Sequence, residues 1–157
     1  RKRDFLMSSS SVRTLVKDFL ADNSAEDVVD LTGEFDDVRS MLAEAGVLPD
    51  SPWLGLEFSA DPEEPVSLSA DNEKGLYREY GIIQLHICSV AKIGAGNAML
   101  TRAEVLRNLF RGRRLAGLVV ETITPMNTGP GATLEFEAGF VSGTVTVSYH
   151  FDVDLGA

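Results

Sequence analysis

The sequence predicts an α+β domain: a largely antiparallel or mixed twisted sheet with two or three helices packed on one face. Three observations predict it. Two long runs, Tyr77–Val90 and Phe140–Val153, alternate apolar and polar residues at period two, as strands with one buried face do. Two other stretches, Ser11–Asp22 and Ala98–Phe110, carry apolar residues at the spacing of a helix stripe. The chain order is then helix, strand, long strand, helix and three strands.

Each element has its own signal. In Ser11–Asp22 the stripe is Val12, Leu15, Val16, Phe19 and Leu20, with a serine before the run as candidate N-cap. Ala25–Gly33 reads either as a helical turn or as a short extended piece. Glu34–Ala45 predicts a second helix through Phe35, Val38, Met41 and Leu42, ended by Gly46. A turn at 49–52 leads to a strand over Trp53–Phe58, with Trp53 and Glu57 on one side and Leu54, Leu56 and Phe58 on the other. Asp61–Pro65 and Asp71–Gly75 frame a polar loop.

In Tyr77–Val90, Ile83, Leu85 and Ile87 share one face and Gln84, His86 and Cys88 the other. The next helix has the stripe Met99, Ala103, Leu106 and Phe110 and stops at Gly112. Thr101–Glu104 (TRAE) has the form of a capping box, so this helix either begins after Thr101 or runs through it. Leu118–Thr124 predicts a strand, 124–132 a turn-rich exposed loop, and Thr133–Glu137 a short alternating piece. In the last strand Val141, Val145, Val147, Tyr149, Phe151 and Val153 point one way, while Ser142, Thr144, Thr146, Ser148, His150 and Asp152 point the other. One face is therefore oily and one polar, which places helices against the first and water against the second.

The chain has 157 residues, enough for one domain that buries roughly 70% of its unfolded surface. Met7 followed by four serines reads as a natural start, so 1–7 is an upstream extension or flexible N-terminus and 8–157 the single domain. No apolar run approaches the roughly 20 residues of a membrane span, and there is no leader pattern, which points to a reducing cytoplasm. The lone Cys88 agrees: it forms no intrachain disulfide and reads as a small buried hydrophobe.

The formal net charge of −10 argues against a dedicated nucleic-acid binder. The cations are nonetheless concentrated: Arg102, Arg107, Arg111, Arg113 and Arg114 have only Glu104 among them, while acids gather in Asp22–Asp37 and Glu57–Glu73. Such a stripe suits charge-complementary docking to a protein. It equally suits a solvated helix face with cations at its C-terminal end.

Catalytic motifs are missing. Gly94–Met99 (GAGNAM) lacks the third glycine of a dinucleotide fingerprint, and no Walker loop is present. Its glycines fit a tight strand-to-helix turn. His86 and His150 fall on the polar side of their strands and make a metal pair only with a third donor, Asp152 being the nearest carboxylate; a polar sheet face is the preferred reading. No nucleophile elbow exists, because Val141–Gly143 (VSG) lies mid-strand, and Glu63 and Glu64 sit in a Pro-bounded loop that favours solvation. No cofactor, metal or catalytic residue is expected.

With these residues in view, the chain resembles the tail-terminator proteins of long-tailed bacteriophages. The similarity covers roughly 50–153 and rests on Pro52–Phe58 (PWLGLEF), the Arg78-Glu79-Tyr80-Gly81 opening of the long strand, Gly94–Met99 leading a helix that ends Phe110-Arg111-Gly112, and the long closing strand after Phe136–Gly139 (FEAG). The first helix fits too; the acidic stretch Asp22–Asp37 and the helix after it look like additions. The resemblance implies a structural virion protein without enzymatic activity. It would form a ring, commonly a hexamer, that caps the tail tube, ends its polymerisation and presents a surface to the head-side connector, after assembly in the host cytoplasm. In such a ring Gln84, Ser142, Thr144, Thr146, Ser148 and His150 would line a lumen through which DNA only passes, and the five arginines would contact a neighbouring subunit or the tube. The loops 59–75 and 125–132 are further contact candidates. Two other readings stay open: a small nucleotide-binding enzyme using Gly94–Gly96, or another ring component of the phage neck or tail tube.

Overall fold

The computed structural model describes residues 9–32, 38–48, 51–68, 75–128 and 140–154. These form three helices and one seven-stranded sheet, in the order α1 (Ser10–Asn23), β1 (Val28–Asp30), α2 (Val38–Glu44), β2 (Trp53–Ala60), β3 (Glu64–Leu68), β4 (Gly75–Val90), α3 (Ala95–Phe110), β5 (Arg114–Leu115), β6 (Leu118–Ile123) and β7 (Phe140–Asp154). The predicted extension 1–7, the start of the predicted second helix and the predicted short piece Thr133–Glu137 lie outside the described residues.

The sheet runs β1-β2-β4-β7-β6-β5, with β3 also paired to β4. Its spine is the antiparallel β4–β7 ribbon, in register from Leu76 opposite Asp154 to Val90 opposite Phe140. That is roughly 50 Å of continuous pairing at the ordinary strand rise. The other edge of β4 is shared: β2 pairs with Gly81–Cys88 and β3 with Gly75–Arg78. The sheet is mixed because β1 runs parallel to β2, with α2 as the crossover.

Odd-numbered residues of β4 and β7 and even-numbered residues of β2 face α1 and α3. Leu54 stands opposite Ile87 and Leu56 opposite Leu85, and Leu85 in turn opposite Val145. Together with Val12, Val16, Phe19 and Leu20 of α1 and Met99, Ala103, Leu106 and Phe110 of α3 they make one continuous core. The periodicities read from the sequence thus bury most of the residues they marked in α1, α3, β2, β4 and β7; Leu15 and Val153 are only partly covered, and Val141, at the start of β7, is exposed. Phe19 meets Phe110 edge to face, with ring centroids 5.3 Å apart. A smaller core lies on the opposite face, where Trp53 and Cys88 pack with Val29, Leu31 and Val47, and Met41 and Leu42 of α2 close over them.

Four local readings are corrected or settled by the pairing. Ala25–Gly33 contains an extended piece, β1, because its backbone finds the open edge of β2. The polar loop after Asp61 contains a strand, β3; Pro65 obscured it in the sequence, and a proline is tolerated there because β3 is an edge strand with a register shift beside that residue. The capping box at Thr101 is not used: α3 starts at Ala95, runs through Thr101, and the Thr101 hydroxyl donates back to the Asn97 carbonyl. Short β5 pairs with β6 across Ala116 and Gly117, both at positive φ, a tight hairpin the sequence reading did not mark.

Two polar ties seat α1. Ser9 caps it, its hydroxyl accepting from the Val12 amide at 3.4 Å. The buried carboxylate of Glu79 accepts from the Ser9 amide at 3.1 Å and from the Tyr149 hydroxyl at 2.8 Å, placing negative charge at the helix N-terminus. Tyr149 reaches Glu79 across Gly81, where an added Cβ would collide with the phenol. At the other edge Asp30 accepts from Arg13 and Lys17 of α1. Burial opposes its ionised form, but hydrogen bonds from Thr32, Lys17 and Arg13 outweigh that and hold the carboxyl down at about 2.

Candidate functional site: a polar sheet face and an arginine turn

The face of the sheet turned away from α1 and α3 is polar along most of β4 and β7. The side chains predicted to share it do so: Gln84 stands opposite Thr146, Ile82 opposite Ser148, and Tyr80 opposite His150. They are not equally open. Gln84, Thr146, Ser148 and His150 are half-buried, whereas Ser142 and Thr144 are 6% and 3% exposed. Of the six residues expected to share an open face, Ser142 and Thr144 are thus closed off, Ser142 standing opposite Cys88 of the second core, and the other four stay partly open.

At the junction between the open and closed parts sits a three-strand hydrogen-bonded chain. His86 Nε2 lies 2.6 Å from Glu57 Oε1, and His86 Nδ1 lies 2.8 Å from Thr144 Oγ1. With its proton on Nε2 the ring donates to the carboxylate and accepts from the hydroxyl, so both ring nitrogens are satisfied. The elements have the order of a hydroxyl–imidazole–carboxylate relay, but Thr144 is sealed in mid-strand, out of reach of a substrate. The arrangement therefore ties β2, β4 and β7 together. No sequence signal marks it, since it depends on Glu57 and His86 being diagonal neighbours in the β2–β4 register.

Farther along, His150 Nδ1 lies 2.7 Å from Glu121 Oε1. Glu121 is the extra residue of a bulge between Val120 and Thr122, which turns its side chain onto this face. An open pocket of about 180 Å³ lies beside it, bounded by Ser59, Asp61, Tyr80, Ile82, Glu121 and Ser148. Arg78 and Asp152 form a two-pronged pair at 2.6 and 3.0 Å that holds the Asp152 carboxyl below the usual range. The pairing that brings β4 beside β7 does not make His86 and His150 neighbours. They sit six positions apart along the ribbon, roughly 20 Å, so the histidine pair weighed from the sequence does not form. Among the described residues no group of three His, Cys, Asp or Glu side chains is set to hold a metal.

The arginine stripe divides in two. Arg102 is not an outer contact residue. All five of its N–H groups point inward: two to the Glu26 carboxylate, at 2.8 and 2.5 Å, and the rest to the carbonyls of Trp53 and Cys88 and the Ser89 hydroxyl. It clamps α3 onto the ends of β2 and β4 and onto the segment before β1. Arg107 is mostly covered and paired to Glu104 at 2.6 Å. Arg111, Arg113 and Arg114, in contrast, are exposed at the turn from α3 to β5. Arg111 is steadied by Asn108 and Arg113 by the Leu109 carbonyl, while the Arg113 guanidinium stacks 5.3 Å over Phe19.

The Gly94–Gly96 turn behaves as a chain reversal. Gly94 caps α3 in the left-handed region at φ 86, and the amides of Ala95 and Ala98 are taken by the Lys92 and Gly94 carbonyls. Cys88 is fully buried, and that burial, only partly offset by the Arg102 charge, pushes its thiol up to about 12. No helix among the described residues is long and apolar enough to cross a membrane. No protein-family model matches the chain, and no curated protein matches it at a significant level.

Proposed function

We propose that the chain is a structural subunit of a bacteriophage tail terminator: a ring, with six copies as the expected number, that caps the tail tube, stops its growth and offers a surface to the head-side connector. It acts without catalysis or cofactor. The observation that supports this best is the asymmetry of the sheet. One face is sealed by α1 and α3, while the other, along Tyr80–Gln84 and Thr146–His150, carries hydroxyls, an amide and paired charges with no described helix over it. The outer edges of β1 and β5 have no strand partner among the described residues, and ring closure is one way of covering such edges.

Turned toward a lumen, the open face would let DNA pass without adhering. Its acids, Glu57 and Glu121, repel phosphate, and the guanidinium of Arg78 on the same face is neutralised by Asp152. Phosphates there find few free cations to replace their counterions. The resulting location would be the tail–neck junction of the virion.

Electron microscopy of the purified chain, alone and mixed with tail tubes, tests this. Rings seated on tube ends are the expected result. Extended polymers of the chain itself would instead indicate a tube subunit. A single copy that ignores tubes and retains a nucleotide, read by thermal shift, would overturn the proposal.

A further inference from the structure

The cations of this acidic chain whose side chains are described fall into two classes, with exposed Lys92 standing alone between β4 and α3. Arg13, Lys17, Arg78, Arg102 and Arg107 each meet a carboxylate within the fold. Arg111, Arg113 and Arg114 meet none, although the sequence has 24 acids to 14 Lys and Arg. Three adjacent guanidiniums left without counter-charge in a chain of net −10 are a surface in want of a partner. Two of them are already held in place, Arg111 by Asn108 and Arg113 by Leu109 and Phe19, which lowers the entropy lost on docking.

The complementary charge is on the same molecule. Among the described residues Asp61, Glu63 and Glu64, in and beside the β2–β3 turn, have no Lys or Arg within ion-pair distance; Asp18, Asp22, Asp27 and Glu44 are unpaired too, but only the turn gathers three such acids within four positions. Glu63 and Glu64 are exposed and Asp61 half so. The two patches cannot meet within one chain. The arginine turn leads into β5, and the acidic turn joins β2 to β3, four strand positions away across β6, β7 and β4. At ordinary strand spacing that separation is roughly 19 Å.

We propose that the turn Arg111–Arg114 of one copy docks on the turn Asp61–Glu64 of the next. This rests on the ring reading above and names the surfaces that would join the subunits. Opposite charges on opposite edges make a head-to-tail contact, the kind that closes into a ring instead of stopping at a dimer. Arginine's two-pronged match to carboxylates sets the register of neighbours, which lysines would set less sharply. A duplex DNA partner would meet the same arginines, but the remaining surface of the chain opposes it.

A charge-swap experiment on the full chain tests the proposal. One variant carries Arg111→Glu, Arg113→Glu and Arg114→Glu; the other carries Asp61→Lys, Glu63→Lys and Glu64→Lys. Thermal melts establish that each is folded. In sedimentation velocity the wild type is expected to run as a ring, and each variant alone as a single copy, with association weakened at least tenfold. An equimolar mixture should regain the ring with the two variants in equal numbers, because every junction is again of opposite charge. If both folded variants assemble alone as the wild type does, or the mixture stays single, these surfaces are not the joint, and the ring reading stands without them. If the wild type itself stays single with and without tail tubes, both readings fall. If reversal of the arginines abolishes binding of a fluorescent DNA duplex while leaving assembly intact, the patch serves phosphate, and the proposal is overturned.

Discussion

The two faces of the β4–β7 ribbon are built from the same strands and held by different forces. On the helix side, Ile83, Leu85, Ile87, Val145 and Val147 are fully buried, and their order comes from removing apolar surface from water and filling space. On the other side Glu57, His86 and Thr144 are ordered by directed hydrogen bonds, and beyond them Gln84, Thr146 and Ser148 remain partly open. One face has no tolerance for lost volume. The other has freedom to change composition wherever a side chain is not part of a bonded set.

The contrast can be tested by moving from one face to the other. Leu85→Ala removes a fully buried side chain between Leu56 and Val145 and should cost about 3–4 kcal/mol in denaturant unfolding. One residue along, on the opposite face, His86→Leu keeps bulk but strips the donor from Glu57 and the acceptor from Thr144; about 1–2 kcal/mol is expected. A loss equal to that of Leu85→Ala would mean that both faces are core.

At the rim of the oily face, Asp30 sharpens the comparison through pH. Its carboxyl titrates near 2 in the folded chain against an ordinary 3.8, so its ties to α1 stabilise fully above about pH 4 and are lost as pH falls toward 2. With solvent screening allowed for, the stability gap between wild type and Asp30→Asn should be about 1 kcal/mol at pH 6 and should close over that window. A gap that persists at pH 2 would show that charge is not what Asp30 supplies. The smallest effect belongs to the open face: Thr146→Ala should change stability by no more than about 0.5 kcal/mol. A larger loss would mean that this stretch is covered and unsuited to a lumen.

The arginines show where sequence reading reached its limit. Five guanidiniums within thirteen positions look alike as a run of letters. What separates Arg102 from Arg114 is whether the backbone of another element passes within reach. The Trp53 and Cys88 carbonyls and the Glu26 carboxylate converge on Arg102 only because β2 pairs with β4 and the start of β1 lies beside them. The sealed hydroxyls of Ser142 and Thr144 follow the same logic: alternation assigns a side but cannot say what lies over it.

The sequence by itself determined the class of fold, both long strands and which of their sides would be oily, the stripes of α1 and α3, and the role of Gly94 as a turn. All of these rest on periodicity and backbone preference among residues near in the chain. Only the tertiary structure decided the pairing order, the extended β1 and β3, the Glu57–His86–Thr144 chain, the bulge that aims Glu121 at His150, and the division of the arginines. Each of these joins residues far apart in the chain, and their meeting depends on register and edge availability, which no local pattern encodes.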